Sequence, residues 1–166
     1  MPSSFAPVID QNVNSIVLGS MPGVVSLQQQ KYYAHAKNAF WRIAASYLNF
    51  DFDLPYAMRL EKLLAAGVGL WDVVGYCERE GSLDSAIVSK SVVVNDFEAL
   101  LERYANIDTI YFNGRKAEQL FTKRCKSKIA KLTSMPRLIA LPSTSPAYAA
   151  MPYSEKRRQW SVVYAN

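Results

Sequence analysis

Ser15-Ile16-Val17-Leu18-Gly19-Ser20-Met21-Pro22-Gly23 is the stretch on which the fold turns. Its apolar residues are consecutive rather than alternating, and a glycine closes the run. A strand that is apolar at every position is covered on both faces, as in the middle of a parallel sheet. Two glycines around a proline then let the backbone turn sharply and leave amide N–H groups for an anion or a carbonyl. The stretch lacks the glycine spacing and the Lys-Ser/Thr pair of nucleotide-binding loops. A plain strand-to-helix turn remains the alternative reading of the pentapeptide.

Outward from this run, Phe40, Ile43, Ala44, Tyr47 and Leu48 recur at helical spacing and predict a helix over 40–48. A second helix is expected over 55–66, capped by Asp53 and ended by Gly67. Gly69-Leu70-Trp71-Asp72-Val73-Val74 reads as the next strand. Asn95 and Glu98 resemble a capping pair ahead of a helix whose apolar face is Phe97, Leu100, Leu101 and Tyr104. A third strand is expected over 109–112, closed by Asn113-Gly114, and a fourth over 137–141. A last helix is expected to start from a cap at Ser154. Strands separated by helices imply an α/β fold, a three-layer αβα sandwich around a central four-stranded parallel sheet. Residues 1–166 read as a single domain, with neither repeats nor a dividing linker. Ligands of such folds bind beyond the carboxyl ends of the strands, which points to the segments after Leu18 and Leu141.

Composition narrows the chemistry. Lys and Arg number 19 against 14 Asp and Glu, a net charge of +5. Apolar residues make up 50% of the chain and charged ones 20%, which excludes wholesale disorder. Two cysteines build no disulfide framework, and a single histidine excludes a His-rich metal site. No apolar run approaches the roughly 18 residues of a membrane span, and the N-terminus has no signal-like segment. The expectation is a soluble, cytosolic protein with no metal, no cofactor and no membrane partner, and nothing requires more than a monomer.

Candidate functional residues gather in two segments. Tyr32-Tyr33-Ala34-His35-Ala36-Lys37-Asn38-Ala39-Phe40-Trp41 packs aromatic and polar groups before and into the first helix. Asn38 suits an N-cap, and Phe40 and Trp41 suit the core. Tyr33 and His35 lie in the preceding loop, where packing explains them less well. Leu141-Pro142-Ser143-Thr144-Ser145-Pro146-Ala147-Tyr148 sets three hydroxyls between prolines, a stiff polar loop suited either to phosphate oxygens or to an ordinary turn. A Ser-His-Asp hydrolase is poorly supported, because neither Ser143 nor Ser145 lies in a Gly-x-Ser-x-Gly elbow. Basic residues cluster at Lys123, Arg124, Lys126, Lys128 and Lys131, and again at Lys156, Arg157 and Arg158. The second cluster closely follows the serine loop and is the better candidate for duplex phosphates.

Gly-Ser-Met-Pro-Gly, then Tyr-Ala-His-Ala-Lys-Asn-Ala-Phe-Trp, then Leu-Pro-Ser-Thr-Ser-Pro resembles the uracil-DNA glycosylase superfamily. The likeness also takes in Trp71-Asp72-Val73-Val74, Ser82-Leu83-Asp84-Ser85 and Phe112-Asn113-Gly114. Met21 stands where the mismatch-specific uracil/thymine branch carries a water-positioning asparagine, and a thioether cannot orient water. Leu141 stands where the highly active uracil enzymes carry a histidine. Both departures are similar to the hypoxanthine-DNA glycosylase branch, from which Ala36 and Lys31 depart in place of its usual proline and glutamine.

The resemblance implies a DNA-deoxyinosine glycosylase acting on double-stranded DNA that carries deaminated bases. Asn38 would carry catalysis by holding a water against the sugar carbon. His35 would be either a general acid or a structural histidine. Gly19, Ser20, Met21, Pro22, Gly23, Tyr33 and Asn113 would bind the flipped base, with Tyr33 stacking on it. Ser143, Thr144, Ser145 and Pro146 would pinch phosphates beside the lesion, together with Lys156, Arg157 and Arg158. Tyr148 or a neighbour would fill the gap in the stack. Alternatives are a mismatch-specific uracil/thymine enzyme and a non-catalytic nucleic-acid-binding domain of the same fold.

Overall fold

The computed structural model describes residues 3–165. The first strand, β1 (Ser15–Gly19), is buried at every position, as its unbroken apolar run requires. It pairs in parallel with β2 (Val68–Asp72) on one side and β5 (Thr109–Asn113) on the other, and β5 pairs in parallel with β6 (Arg137–Leu141). The sheet order is β2-β1-β5-β6. A small antiparallel pair, β3 (Val74–Tyr76) and β4 (Val93–Val94), stands apart from it.

Alternate side chains of each strand feed opposite layers. Ile16, Leu18, Ile110 and Phe112 pack against α4 (Phe97–Arg103), α5 (Arg115–Arg124) and α6 (Lys126–Ile129) through Phe97, Leu100, Leu120, Phe121 and Ile129. Val17, Val68, Leu70 and Tyr111 pack against α2 (Phe40–Leu48), α3 (Tyr56–Ala65) and α7 (Tyr153–Tyr164) through Phe40, Ile43, Leu63 and Trp160. This is the expected αβα sandwich. A short helix, α1 (Val24–Gln29), follows the Gly19–Gly23 loop.

Local details differ from expectation for identifiable reasons. The run 69–74 is two strands, not one. Past Asp72 the chain leaves the sheet, with Val73 N and Val74 N donating to the carbonyls of Gly19 (2.8 Å) and Ser20 (3.0 Å). Helix α4 is capped by Asp96, whose carboxylate accepts from Ala99 N at 3.0 Å, because the Asn95 amide donates to the Asp72 carbonyl at 2.7 Å. Asp53 does not cap α3, which starts from Pro55 with no side-chain cap, and Gly67 ends it at φ +79°. Helix α7 starts after Pro152, so Ser154 lies inside its first turn.

Candidate active site

The carboxyl ends of the strands meet in one corner. Gly19 is the register partner of Asp72, and Asn113 that of Leu141. The segments leaving these ends, with residues 32–38, wall a cavity of about 910 Å³. That volume is ample for a nucleobase and its sugar.

The Gly19–Gly23 loop is braced from outside. The Arg79 guanidinium donates to the Pro22 carbonyl, Ser20 Oγ donates to Asp84 Oδ1, and Val24 N donates to Ser82 Oγ at 2.8 Å. With the Gly19 and Ser20 carbonyls taken by Val73 and Val74, what the loop offers a ligand is mainly its amide N–H groups. Met21 is 6% exposed and packs into the core while lining the cavity. Gly19 is required by close approach. A Cβ there would lie 2.6 Å from Asp72 Oδ1 and 3.3 Å from the Tyr33 hydroxyl. Gly19→Ala should therefore cost about 1–3 kcal/mol in urea denaturation, as overpacking does elsewhere.

Tyr33 sits at φ +55°, a conformation that an aromatic adopts only under local constraint. Its ring stacks on Phe40 at 4.2 Å between centroids. Its hydroxyl is buried, and burial with the nearby Asp72 carboxyl holds the phenol protonated against a smaller opposing effect of the Asn113 side chain. His35 is exposed, with Nδ1 accepting from Lys37 N at 3.1 Å. That acceptor role assigns the proton of the neutral ring to Nε2. Asn38 N donates to the His35 carbonyl at 2.9 Å, and Asn38 Oδ1 accepts from Phe40 N at 2.9 Å at the start of α2. The asparagine caps the helix and lines the cavity with the same side chain.

The late loop is built around Thr144, which is 1% exposed. Its Oγ1 accepts from Asn113 Nδ2 (2.9 Å), its N–H donates to Asn113 Oδ1 (2.9 Å), and its carbonyl accepts from Ala39 N (3.0 Å). Thr144 and Asn113 thus form a brace between β5, the loop and α2, and both also line the cavity. Ser143 Oγ and Ser145 Oγ accept from the backbone N–H of Ser145 and Ala147, each at 3.1 Å, which leaves their hydroxyl protons to donate outward. Tyr148 is 38% exposed beside them.

The basic triplet divides between the interior and the surface. Lys156 is 5% exposed, and its ammonium donates to the carbonyls of Tyr148 (2.6 Å) and Ser145 (3.4 Å). It clamps the loop from within. The Arg157 guanidinium lies 4.3 Å over the Tyr47 ring and donates to Ser46 Oγ at 2.9 Å. Arg158 forms a forked pair with Glu155. The other basic cluster lies at the far end of α5, about 15 Å from the cavity end at 1.5 Å per residue, and Arg124 there donates to the carbonyls of Val92 and Ser89.

Three groups at the site were given no role by the sequence reading, although Asp72 and Asp84 lie in motifs that carry the resemblance. Asp72, Arg79 and Asp84 surround the base of the Gly19–Gly23 loop, and burial pushes the Asp72 carboxyl up to about 7, helped by Asp84 and opposed by Arg79. The available signal was a charged residue inside an otherwise apolar strand. Among the described residues, no three His, Cys, Asp or Glu side chains come together as a metal site, and no helix is long and apolar enough to cross a membrane.

Residues 6–166 match the model of the uracil DNA glycosylase superfamily. Two curated proteins named hypoxanthine DNA glycosylase are similar over 114 residues, which is 68% of this chain and 71% of each relative. The one from Methanosarcina barkeri is 40% identical and the one from Methanosarcina acetivorans 39%. The solution structure of a candidate uracil DNA glycosylase from Methanosarcina acetivorans superposes with a TM-score of 0.77 at 31% identity, covering 97% of both chains. With the strand-end cavity and its Tyr33–Asn38 wall already in place, the chain belongs to the uracil DNA glycosylase superfamily, and its enzyme class is that of a DNA glycosylase.

Proposed function

We propose that the protein hydrolyses the N-glycosidic bond of hypoxanthine in double-stranded DNA, as a monofunctional glycosylase needing neither metal nor cofactor. The observation that carries this reading is Asn38 on the cavity wall, while position 21 holds a buried methionine. The base must leave the duplex to reach the cavity, at the loss of a few kcal/mol of stacking and pairing. A deaminated base in a mismatch loses less, so damage is favoured before any contact forms.

Inside the cavity, Tyr33 supports the base on the ring face not covered by Phe40. Asn38, fixed by its bond to Phe40 N, still has its Nδ2 hydrogens and a second Oδ1 lone pair to place a water at the sugar carbon. The base leaves with the electron pair of the breaking bond, and amide N–H groups of the Gly19–Gly23 loop stabilise that charge. His35 presents Nε2–H from the exposed side. Outside, Ser143 and Ser145 donate to phosphates, and Tyr148 fills the space vacated in the stack. A uracil or mismatched-thymine enzyme is the second reading, weakened because Met21 and Leu141 are both buried apolar side chains.

The deciding experiment is a single-turnover excision panel on duplexes carrying deoxyinosine, deoxyuridine, deoxyxanthosine or a G·T mismatch. Preferred release of hypoxanthine is expected. Preferred release of uracil or thymine would establish the second reading, and no cleavage of any duplex with DNA still bound would favour a binding module.

A further inference from the structure

Three amide N–H groups of the Gly19–Gly23 loop are left for a ligand. Pro22 has none, and the next one along, Val24 N, is taken by Ser82 Oγ at 2.8 Å. Ser20, Met21 and Gly23 line the cavity, and among the described residues no protein group accepts from their amides. The described peptide bonds are all trans, and a trans peptide sets its C=O and the following N–H on opposite sides. Each of the three amides is therefore aimed by whatever holds the carbonyl before it. The Gly19 and Ser20 carbonyls accept from Val73 N and Val74 N, main-chain groups where the chain leaves β2. The third carbonyl, that of Pro22, is held by a side chain, the guanidinium of Arg79.

Val73, Val74 and Arg79 do not line the cavity. They hold the loop from behind, which turns its N–H groups forward. Arg79 reaches the loop from a fixed base. Val88 N donates to the Glu78 carbonyl at 2.9 Å, and Glu78 N donates to Ser91 Oγ at 2.8 Å, closing the connection between β3 and β4 beside it. The Arg79 Nε and Nη1 are buried and donate to no protein group. Among the described residues Arg79 forms no ion pair, although its charge is felt at Asp72. A full positive charge thus stands directly behind one peptide of the loop, with no carboxylate paired to it.

We propose that Arg79 is a positioning residue for the departing base, acting through the Pro22–Gly23 peptide. Its bond to the Pro22 carbonyl aims the Gly23 N–H at the negative charge that the base acquires. A cation on the carbonyl oxygen also polarises the peptide and strengthens the N–H at its other end. The base leaves with the electron pair of the glycosidic bond, so this contact grows as the bond breaks. It favours the transition state over bound substrate. No proton or electron passes through Arg79. The guanidinium suits the task because its planar fork fixes a direction, whereas an ammonium is a point charge on a flexible stem.

The inference rests on the glycosylase reading and is tested with the full chain. Single-turnover release is measured at saturating duplex carrying deoxyinosine or 2-fluorodeoxyinosine, whose fluorine withdraws charge from the departing ring. Arg79→Met should slow release of hypoxanthine about 10-fold, less than the roughly 100-fold of losing a direct donor to developing charge. Duplex affinity should stay unchanged, and a melting curve shows that the variant is folded. The slowing should be smaller on the fluorinated base, which needs less help in bearing its charge. Arg79→Lys keeps the charge without the fork and should fall between wild type and Arg79→Met. A loop that was merely loosened would slow both bases alike and weaken duplex binding. Equal slowing of the two bases, or wild-type rates in Arg79→Met, would overturn this inference alone. Should Arg79→Met not fold, Arg79→Lys carries the same comparison, and no difference between the bases there overturns the inference as well. A wild-type chain that releases no base from any duplex overturns the glycosylase reading and this inference together.

Discussion

An alanine at position 38 should slow single-turnover release of hypoxanthine by about 100-fold or more, with the duplex still bound. Asn38 is held from two sides, its N–H on the His35 carbonyl and its Oδ1 on Phe40 N, both at 2.9 Å. The residual freedom of the amide is therefore small, and a water bonded to it is aimed rather than merely nearby. Losing that water's anchor removes orientation as well as an electrostatic contact, and each contributes separately to rate. Loss of the helix-capping bond costs about 1 kcal/mol, too little to unfold the domain. Helix α2 remains fastened by Phe40, Trp41 and Ile43, none more than 4% exposed. A melting curve and a DNA titration alongside the rate separate the two effects. Unchanged release in a folded Asn38→Ala protein would remove the asparagine from the mechanism.

The largest loss of stability is expected from Trp160→Ala. Trp160 is completely buried on α7, meets the Phe40 ring edge-on at 5.9 Å, and donates from its indole nitrogen to the Pro142 carbonyl at 2.8 Å. Deleting such a side chain costs about 3–5 kcal/mol through lost burial and the cavity left behind. The orphaned Pro142 carbonyl adds to this. In a domain of this size the melting temperature should fall by roughly 10 °C or more. Val162→Ala two positions on, at a site 40% exposed, is the control and should stay within about 0.5 kcal/mol of wild type. If the two variants melt together, α7 is not the wall that supports the serine loop.

The fold was legible where burial alone decides conformation. β1 carries an unbroken apolar run that is buried at every position, and Phe40, Ile43 and Ala44 repeat at helical spacing. Helix α5 was missed although Ala117, Leu120 and Phe121 share a face, because Arg115, Lys116 and Lys123 dilute the pattern. The cap of α4 was misplaced by one residue because Asn95 has a tertiary partner, the Asp72 carbonyl, that no local rule contains. At the site, the Tyr33–Asn38 segment could be read because its residues are contiguous. The roles of Thr144, Asn113 and Lys156 could not, since each depends on an atom between 8 and 31 residues away in the chain. Charge in a sequence reads as a surface, and only packing shows that one lysine of the triplet is spent inside.

One feature of the sheet bears on how the protein behaves at high concentration. An open parallel sheet has two free borders, and a bare border recruits strands from other molecules. Along β2 the border is occupied. Val8 and Leu70 exchange backbone hydrogen bonds at 2.9 Å in both directions, and the Val8 carbonyl crowds Gly69 so closely that a Cβ there would sit 2.9 Å away. Along β6 the strand is only five residues long and lies between Pro136 and Pro142, which have no N–H to offer. The same short N-terminal segment that packs Phe5 on Tyr32 therefore also acts as a guard rail against self-association.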